Sequence, residues 1–291
     1  MFIDTWSRDT LETSVARCLN RTIPEIYSEI EKADQVSRQP EGGYDADVFQ
    51  EEVLKFVKTC DLELLNQIQF YHLARRLNID EDVEGKNLQT LLLTENAFTS
   101  FLRKRGVTFR ENEHIDVIYN GIVQDISEHK LEVNVNYLYS RFGYYKENLD
   151  YYFNGLAFHD QIKKNYYADA LRDGPEILSN LSRLLNKPQL ILDYEKSSRY
   201  YCFAYCVPMS EIVFEDKPKL EDDAKMTYFL QRCFERLHQY WMGEEITGDS
   251  DNPILVLRNN KNMSAVYFTQ KELVDQEAVS YTHLRAHETR H

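Results

Sequence analysis

The spacing of apolar residues changes near residue 60, and this change is the feature that most limits the fold. Before it, Phe49, Val53 and Phe56 recur every three or four positions, which places them on one face of a helix. After it, short aromatic runs such as residues 68–75 are interspersed with helical runs. Because strands and helices do not alternate regularly, the sequence predicts an α+β fold: a mainly antiparallel sheet with flanking helices, preceded by a helical N-terminal extension.

The N-terminal part is predicted to contain three helices. Ser7 is a suitable cap for the first, the second covers about residues 23–36, and the third ends near Cys60. Residues 38–47 contain a proline and two glycines, which is typical of a linker. The predicted division is a helical extension at residues 1–60, an α+β domain at 61–279 and a non-native tail at 280–291.

The remaining elements are predicted from the same two periodicities. Further helices are expected at 87–105, 137–142 and 160–171, from Pro175 to Leu185, and from Glu221 to Trp241. Strands are expected at 68–75, 107–109, 115–119, 151–158, 190–194, 199–207, 254–258 and 263–268. Asn120-Gly121 predicts a tight turn, Asn154-Gly155 a break in strand 151–158, and the last four strands are expected to form two hairpins.

Composition and charge exclude several classes of protein. Hydrophobic residues make up 43% of the chain and aromatic residues 13%, which is typical of a folded protein. The formal net charge of −14 argues against non-specific binding of nucleic acid. The five cysteines include no C-x-x-C pair, so reduced thiols are expected, with no zinc ribbon or other metal site. No long apolar stretch or signal sequence is apparent, so we expect a cytoplasmic protein without a membrane segment.

The C-terminal residues 280–291 read SYTHLRAHETRH, which resembles the peptide translated from sequencing-adapter DNA. Within them His283, His287 and His291 repeat every four residues, a spacing that would align three imidazoles on a helix and suggest zinc. Because the stretch resembles a processing scar, the zinc interpretation is set aside and a truncated native C terminus is expected.

Two side chains of strand 68–75 are candidates for binding a ligand. Alternation along a strand places His72 and Arg76 on the same face. A neutral imidazole can hydrogen-bond a sugar hydroxyl and an arginine can hold a phosphate, so the pair suits a nucleotide. A histidine between aromatic residues is more often an ordinary core residue, and that alternative stays open.

A second segment strengthens the nucleotide interpretation. Residues 154–164 read NGLAFHDQIKK and lead to Tyr166 and Tyr167. Together with His72 in an earlier strand, this segment resembles the diphtheria-toxin and poly(ADP-ribose)-polymerase class of ADP-ribosyltransferases, whose corresponding strand reads G-[IV]-Y-F and enters a similar helix. Strand 199–207 resembles the core strand that follows in such enzymes, so the resemblance covers about half of residues 65–215.

The resemblance implies that the protein uses NAD as substrate and transfers ADP-ribose to an acceptor, a protein or a nucleotide, that the sequence does not name. His72 would bind a ribose hydroxyl of NAD, and strand 156–158 would form one wall of the nicotinamide site. The residues implied in binding NAD are Arg76, Tyr152, Gly155, Leu156, Phe158 and Tyr167. Ala157 stands where the family has its stacking ring, so that role falls to Tyr152 or Tyr167, or is lost.

The catalytic glutamate is the second departure from the family. Cleavage of the glycosidic bond of NAD builds positive charge on the ribose, which a fixed carboxylate stabilises. Glu211, after strand 199–207, is the candidate, although a solvated loop residue would look the same.

The competing hypothesis is a non-enzymatic acidic interaction or regulatory module that binds a basic partner. The enzyme hypothesis requires His72, strand 156–158 and at least one carboxylate to line one cleft. The module hypothesis requires His72 to be packed away and a contiguous patch to be exposed.

Overall fold

The computed structural model describes residues 1–60, 65–126, 133–146, 149–244, 246 and 252–274, apart from the side chains of residues 133–135 and 167. Helices and a mostly antiparallel sheet make up these residues, which confirms the predicted α+β class. None of the helices in the described ranges combines the length and the apolar character needed to cross a membrane.

The elements have the following bounds. The α-helices are α1 Arg8–Cys18, α2 Ile23–Ser37, α3 Ala46–Lys58, α4 Leu88–Leu93, α5 Ala97–Arg103, α6 Val133–Arg141, α7 Tyr166–Ala170, α8 Glu176–Leu184, α9 Gln189–Lys196 and α10 Asp222–Met242. The strands are β1 Gln67–Leu77, β2 Val107–Glu111, β3 Ile115–Tyr119, β4 Ile122–Val123, β5 Asn154–Leu156, β6 Ser198–Pro208, β7 Ile212–Phe214, β8 Ile254–Leu257 and β9 Phe268–Leu273.

The main sheet has six strands in the order β7-β8-β5-β1-β6-β9, and its described pairs are antiparallel. Strand β1 lies inside the sheet, with β6 on one side over its full length and β5 on the other. The smaller sheet joins β2, β3 and β4. Its β3–β4 turn uses Asn120 and Gly121 at φ of 50° and 82°, as predicted for a tight hairpin.

The N-terminal helices and the main sheet share one hydrophobic core. Ser7 caps helix α1, as predicted: its side chain accepts a hydrogen bond from the backbone of Thr10, and the Thr10 side chain accepts one from the backbone of Ser7. Helices α1, α2 and α3 pack against α10, so that Phe49 and Phe229 belong to the same buried cluster as Phe70 of β1. This burial, rather than helix propensity alone, stabilises the three helices.

A second core lies under the smaller sheet. It is formed by helices α4, α5, α6, α8 and α9 with strands β2 and β3, and it includes Leu102, Val117 and Leu181, which are fully buried. Strand β1 reaches both cores, because Phe70 belongs to the first and Leu77 to the second. The junction of the two cores therefore lies along the C-terminal half of β1.

Three of the predicted segments are divided or shortened in the structure. Helix 87–105 is two helices, because Asn96 accepts a hydrogen bond from the backbone of Thr99 and starts α5 anew. Helix 160–171 is a 3-10 turn at Ile162–Lys164 followed by α7, with extended backbone at Asn165 between them. Strand 151–158 is shortened to β5.

Within β5, Asn154 and Gly155 do not break the strand. A Cβ on Gly155 would lie 2.3 Å from the Phe70 ring and 2.6 Å from the Tyr71 carbonyl oxygen. The glycine is therefore explained by the close approach of β5 to β1, not by a turn.

Both predicted C-terminal hairpins are wrong. Residues 190–194 belong to helix α9, because Leu190 and Tyr194, four positions apart, both bury in the second core. The strand predicted at 263–268 is absent, because residues 265–267 form a 3-10 turn and β9 begins only at Phe268. Strand β9 lies beside β6, whereas β8 lies between β7 and β5. Two 3-10 turns, Arg258–Asn260 and Ala265–Tyr267, carry the chain from one to the other.

Candidate functional site

A cavity of about 170 Å³ lies at the junction of the two cores, beside the C-terminal half of β1. Its walls come from β1, from the segment just before β5, and from helices α4, α5, α6 and α8. The side chains that matter for its chemistry are His72, Arg76, Asp80, Lys86, Tyr137, Arg141, Tyr152, Phe153 and Glu176. Junctions of this kind are common places for ligand sites.

His72 presents a hydrogen-bond acceptor to this cavity. Its Nδ1 lies 2.8 Å from the carbonyl oxygen of Asn154, and because a carbonyl only accepts, Nδ1 carries the proton and Nε2 keeps a lone pair. The ring packs on Phe153 at 4.2 Å between centroids. Burial and then the charge of Arg76 lower the pKa of His72 to about 3, which keeps the imidazole neutral. No group of the described residues bonds to Nε2.

Arg76 presents an unused donor to the same cavity. Its Nη1 lies 3.4 Å from Asp80 Oδ2, its Nη2 donates to the Glu84 carbonyl at 3.1 Å, and the guanidinium lies 5.3 Å from the centre of the Phe203 ring. The Nε atom is buried and has no hydrogen-bond partner among the described residues. A buried donor without a partner costs roughly 1–3 kcal/mol, so this atom points to a ligand acceptor.

The other charged side chains of the cavity are paired. Lys86 contacts Asp82, and Arg141 Nη1 lies 2.5 Å from Asp150 Oδ1. Glu176, in the first turn of α8, is exposed at the mouth and accepts a hydrogen bond from the Tyr137 hydroxyl at 3.2 Å. Attraction of an anion therefore depends on particular donors such as Arg76 Nε rather than on a large excess of positive charge.

Arg75, next in the strand, has a structural role. Its Nε donates to Ser198 Oγ at 2.9 Å, its Nη1 to the Arg172 carbonyl at 2.6 Å, and its Nη2 to the Glu195 carbonyl at 2.8 Å. These bonds tie the ends of α7 and α9 to β1, and thereby fix the wall that carries His72 and Arg76.

The structure separates the residues that the sequence grouped as the NAD site. Tyr152 lines the mouth of the cavity and is 42% exposed. Gly155 packs against Phe70, and Phe158 lies under α10 with 6.0 Å between its ring and that of Phe229. The side chain of Tyr167 lies outside the described residues.

Leu156 lies on the other face of the sheet from His72. It pairs directly with Tyr71, and neighbouring residues of a strand point to opposite faces. The wall of the cavity is therefore formed by residues 152–154, just before the strand that was expected to form it.

Glu211 is not brought to this cavity. It ends the 3-10 turn that follows β6, where its Oε1 accepts from the Tyr267 hydroxyl at 3.2 Å and its Oε2 lies 3.8 Å from Lys261 Nζ. Pro208 at the end of β6 pairs with Gln67, five residues or about 17 Å along β1 from His72. The carboxylates that line the cavity are Asp80 and Glu176.

Sequence reasoning missed a second polar cluster, on the other face of the sheet. His159 Nε2 lies 2.7 Å from Glu272 Oε2, Lys163 Nζ lies 2.8 Å from Glu272 Oε1, and the imidazole stacks on Trp6 at 3.7 Å. Burial raises the pKa of Glu272, but Lys163 and His159 outweigh it and the pKa is lowered. Since the His159 Nδ1 also contacts the Trp6 carbonyl, both ring nitrogens are used, and the cluster fastens the N-terminal segment and β9 to the sheet. Glu272 lies more than a hundred positions from His159 and Lys163 in the sequence, so no local sequence pattern reveals this cluster.

Comparisons with known proteins find no family model, no curated protein and no solved structure that matches this chain. Among the described residues there is no group of three or more histidine, cysteine, aspartate or glutamate side chains suited to a metal ion.

Proposed function

We propose that this protein binds NAD through the cavity beside β1 and acts as an ADP-ribosyltransferase-like protein. The observation that carries the proposal is the pairing of a neutral acceptor, His72 Nε2, with an unused buried donor, Arg76 Nε, in one cavity. A ribose hydroxyl can donate to the first and a phosphate oxygen can accept from the second. The resemblance of the His72 strand and of residues 154–164 to that class of enzymes supports the same ligand.

The size of the cavity limits how NAD is held. Its volume of about 170 Å³ is below the roughly 300–1,000 Å³ of pockets that enclose a drug-sized ligand. One ribose with its phosphate therefore occupies the cavity, and the rest of the dinucleotide lies across the mouth, where Tyr152 is exposed. An aromatic ring at that position can stack on a base or on nicotinamide.

The carboxylate needed for transfer is assigned to Glu176. Of the two carboxylates that line the cavity, Asp80 is held by Arg76, whereas Glu176 is at the mouth and is oriented by the Tyr137 hydroxyl. Glu176 replaces Glu211 in this role because Glu211 lies elsewhere in the fold. Its negative charge would stabilise the positive charge that develops on the ribose as the glycosidic bond breaks.

Titration calorimetry with NAD tests binding. We expect measurable heat for the wild-type chain, about fivefold weaker binding for His72→Ala from the lost hydrogen bond, and at least tenfold weaker binding for Arg76→Met from the lost charge-assisted bond. Circular dichroism establishes that each variant is folded. No heat from the folded wild-type chain contradicts the proposal.

Hydrolysis of NAD, followed by release of nicotinamide, tests the transferase part. We expect Glu176→Gln to lower the rate by two or more orders of magnitude, on the scale of losing one transition-state contact, and Glu211→Gln to leave it unchanged. The opposite ranking would return the role to Glu211. Binding of NAD with no turnover in the wild-type chain would retain the nucleotide site and refute the transferase assignment.

A further inference from the structure

A second and larger cleft, of about 620 Å³, lies between the α2–α3 turn and the C-terminal half of α10. Tyr44 and Phe49 line one side, and His238 and Glu244 the other. Gly42, in the turn at the rim, has no atom within 4 Å of the position of a Cβ, so the rim is open. This cleft is separate from the cavity beside β1, so what it binds does not depend on the proposed function.

One exposed aromatic ring, Tyr44, lines the cleft, and the exposed ring of Trp241 lies beside the lining residue His238. Tyr44 lies nearly parallel to His238, with 5.7 Å between ring centroids and 9° between planes, and Trp241 lies 5.9 Å from the same imidazole. Tyr44 is 46% exposed and Trp241 is 39% exposed. Exposed aromatic faces of this kind attract cations through the negative charge of the ring face.

The two arginines that line the cleft are paired with carboxylates, Arg38 with Asp34 and Arg232 with Glu235. Gln50 Oε1 is buried and has no hydrogen-bond partner among the described residues, and no ion pair of Glu244 occurs within them. His238 Nε2 lies 3.0 Å from Asp34 Oδ1, to which it donates. Arg38 also donates to Asp34, at 2.6 Å. The acceptor Gln50 Oε1 therefore lacks a donor.

Three carboxylates and two arginines line the cleft. The pKa of Tyr44 is raised to about 12, first by burial and then by the charges of Asp34, Glu235 and Glu244, against the opposing charge of Arg38. The same carboxylates that disfavour a phenolate favour a cation at the ring. The net charge of −14 on the whole chain acts in the same direction.

We propose that this cleft binds an arginine side chain from a basic segment of a partner protein. The planar guanidinium stacks on Tyr44 and donates to Gln50 Oε1 and to Glu244. Arginine fits better than lysine because its five donors are fixed in one plane and can reach several acceptors while the plane lies on a ring. The open rim beside Gly42 leaves room for the backbone of an extended peptide.

Fluorescence anisotropy with a labelled peptide of alternating glycine and arginine tests the proposal. We expect Tyr44→Ala to weaken binding about threefold to fivefold through loss of the cation–π contact, and Glu244→Gln to weaken it about twofold. Tyr166→Ala, which removes a 68% exposed tyrosine outside the cleft, is the matched control and should change nothing. The corresponding glycine–lysine peptide should bind more weakly than the arginine peptide.

Several results would overturn the proposal. The proposal fails if the wild-type chain does not bind the arginine peptide, if Tyr44→Ala and Tyr166→Ala have equal effects, or if the lysine peptide binds as tightly as the arginine peptide. Competition by free arginine as strong as that by the peptide would assign the cleft to a small cation instead. If Tyr44→Ala fails to fold, Glu244→Gln still tests the proposal, because it changes only an exposed side chain. Unchanged peptide binding by folded Glu244→Gln would then refute the proposal.

Discussion

The protonation state of His72 can be measured through the pH dependence of stability. In the native protein the pKa of His72 is lowered from 6.5 to about 3, because burial and the charge of Arg76 disfavour the imidazolium. Between these two values the unfolded chain binds a proton that the native chain does not bind. The free energy of unfolding therefore falls as the pH drops through 6.5 towards 3, and His72 contributes this loss.

The size of the effect follows from the two pKa values. Relative to neutral pH, His72 should remove about 1 kcal/mol of stability at about pH 6 and about 2 kcal/mol at about pH 5. Other groups titrate over the same range, so the quantity to compare is the difference between the wild-type chain and His72→Gln. A glutamine at this position can still donate towards the Asn154 carbonyl but does not ionise.

Urea denaturation at about pH 7.5, 6 and 5 measures the difference. The wild-type chain should lose about 2 kcal/mol more than His72→Gln between the first and last conditions. In parallel, the C2 proton of His72 should keep its NMR chemical shift down to about pH 5. If both chains lose the same stability, or if that proton titrates near pH 6.5, His72 is charged at moderate acidity and its role as a neutral acceptor is refuted.

Two further predictions concern packing and the thiols. In urea denaturation, Gly155→Ala should lower the free energy of unfolding by about 1–3 kcal/mol, because the new Cβ would overlap the Phe70 ring. The control Gly43→Ala should change the free energy of unfolding by less than about 0.5 kcal/mol, because its Cβ meets only a flexible glutamine side chain. A thiol reagent at neutral pH should label at most two of the five cysteines of the native chain, Cys60 and Cys206, because these alone are partly exposed. Labelling should be slow, because burial raises the pKa of both thiols. Rapid labelling of more than two sites, counted by mass spectrometry, would contradict the structure.

Elements whose stabilisation is local or strongly periodic could be predicted from the sequence. Helices α1 and α2 carry their own cap residues, Ser7 and Thr22, and α10 keeps an apolar face over 21 residues. Strand β1 was found because its run is aromatic and lies between polar segments. In each case the information lies within one stretch of the chain.

Elements that depend on distant partners could not be predicted. The run Leu190–Tyr194 is short and apolar, and its sequence alone fits either a helix or a strand. It is helical because its first and last residues, one helical turn apart, are both buried in the second core. Similarly, runs 254–258 and 263–268 have the composition of a hairpin, but β8 pairs with β5 and β7, and the next strand, β9, starts at Phe268 and pairs with β6. Such pairings are set by tertiary packing, which short-range patterns do not encode.

Part of the candidate site could likewise be predicted from the sequence, and part of it depends on distant partners. Alternation within one strand was enough to place His72 and Arg76 together, and both line the cavity. The opposite wall depends on the register of β5 against β1, and the pairing of Leu156 with Tyr71 turns the expected residues to the other face. The position of Glu211 depends on how far β6 runs beyond His72, which the sequence does not encode locally.

The net charge of the chain sets different physical requirements on its two proposed sites. An acidic protein repels a dinucleotide at long range, so the proposed binding of NAD depends on short-range contacts. The buried Nε of Arg76 and the neutral Nε2 of His72 would make contacts of that kind. A basic peptide is instead attracted before contact, so an open cleft with exposed rings and carboxylates suffices for it. The negative net charge of the chain therefore favours a basic ligand at the second site, whereas binding of NAD at the first depends on short-range contacts.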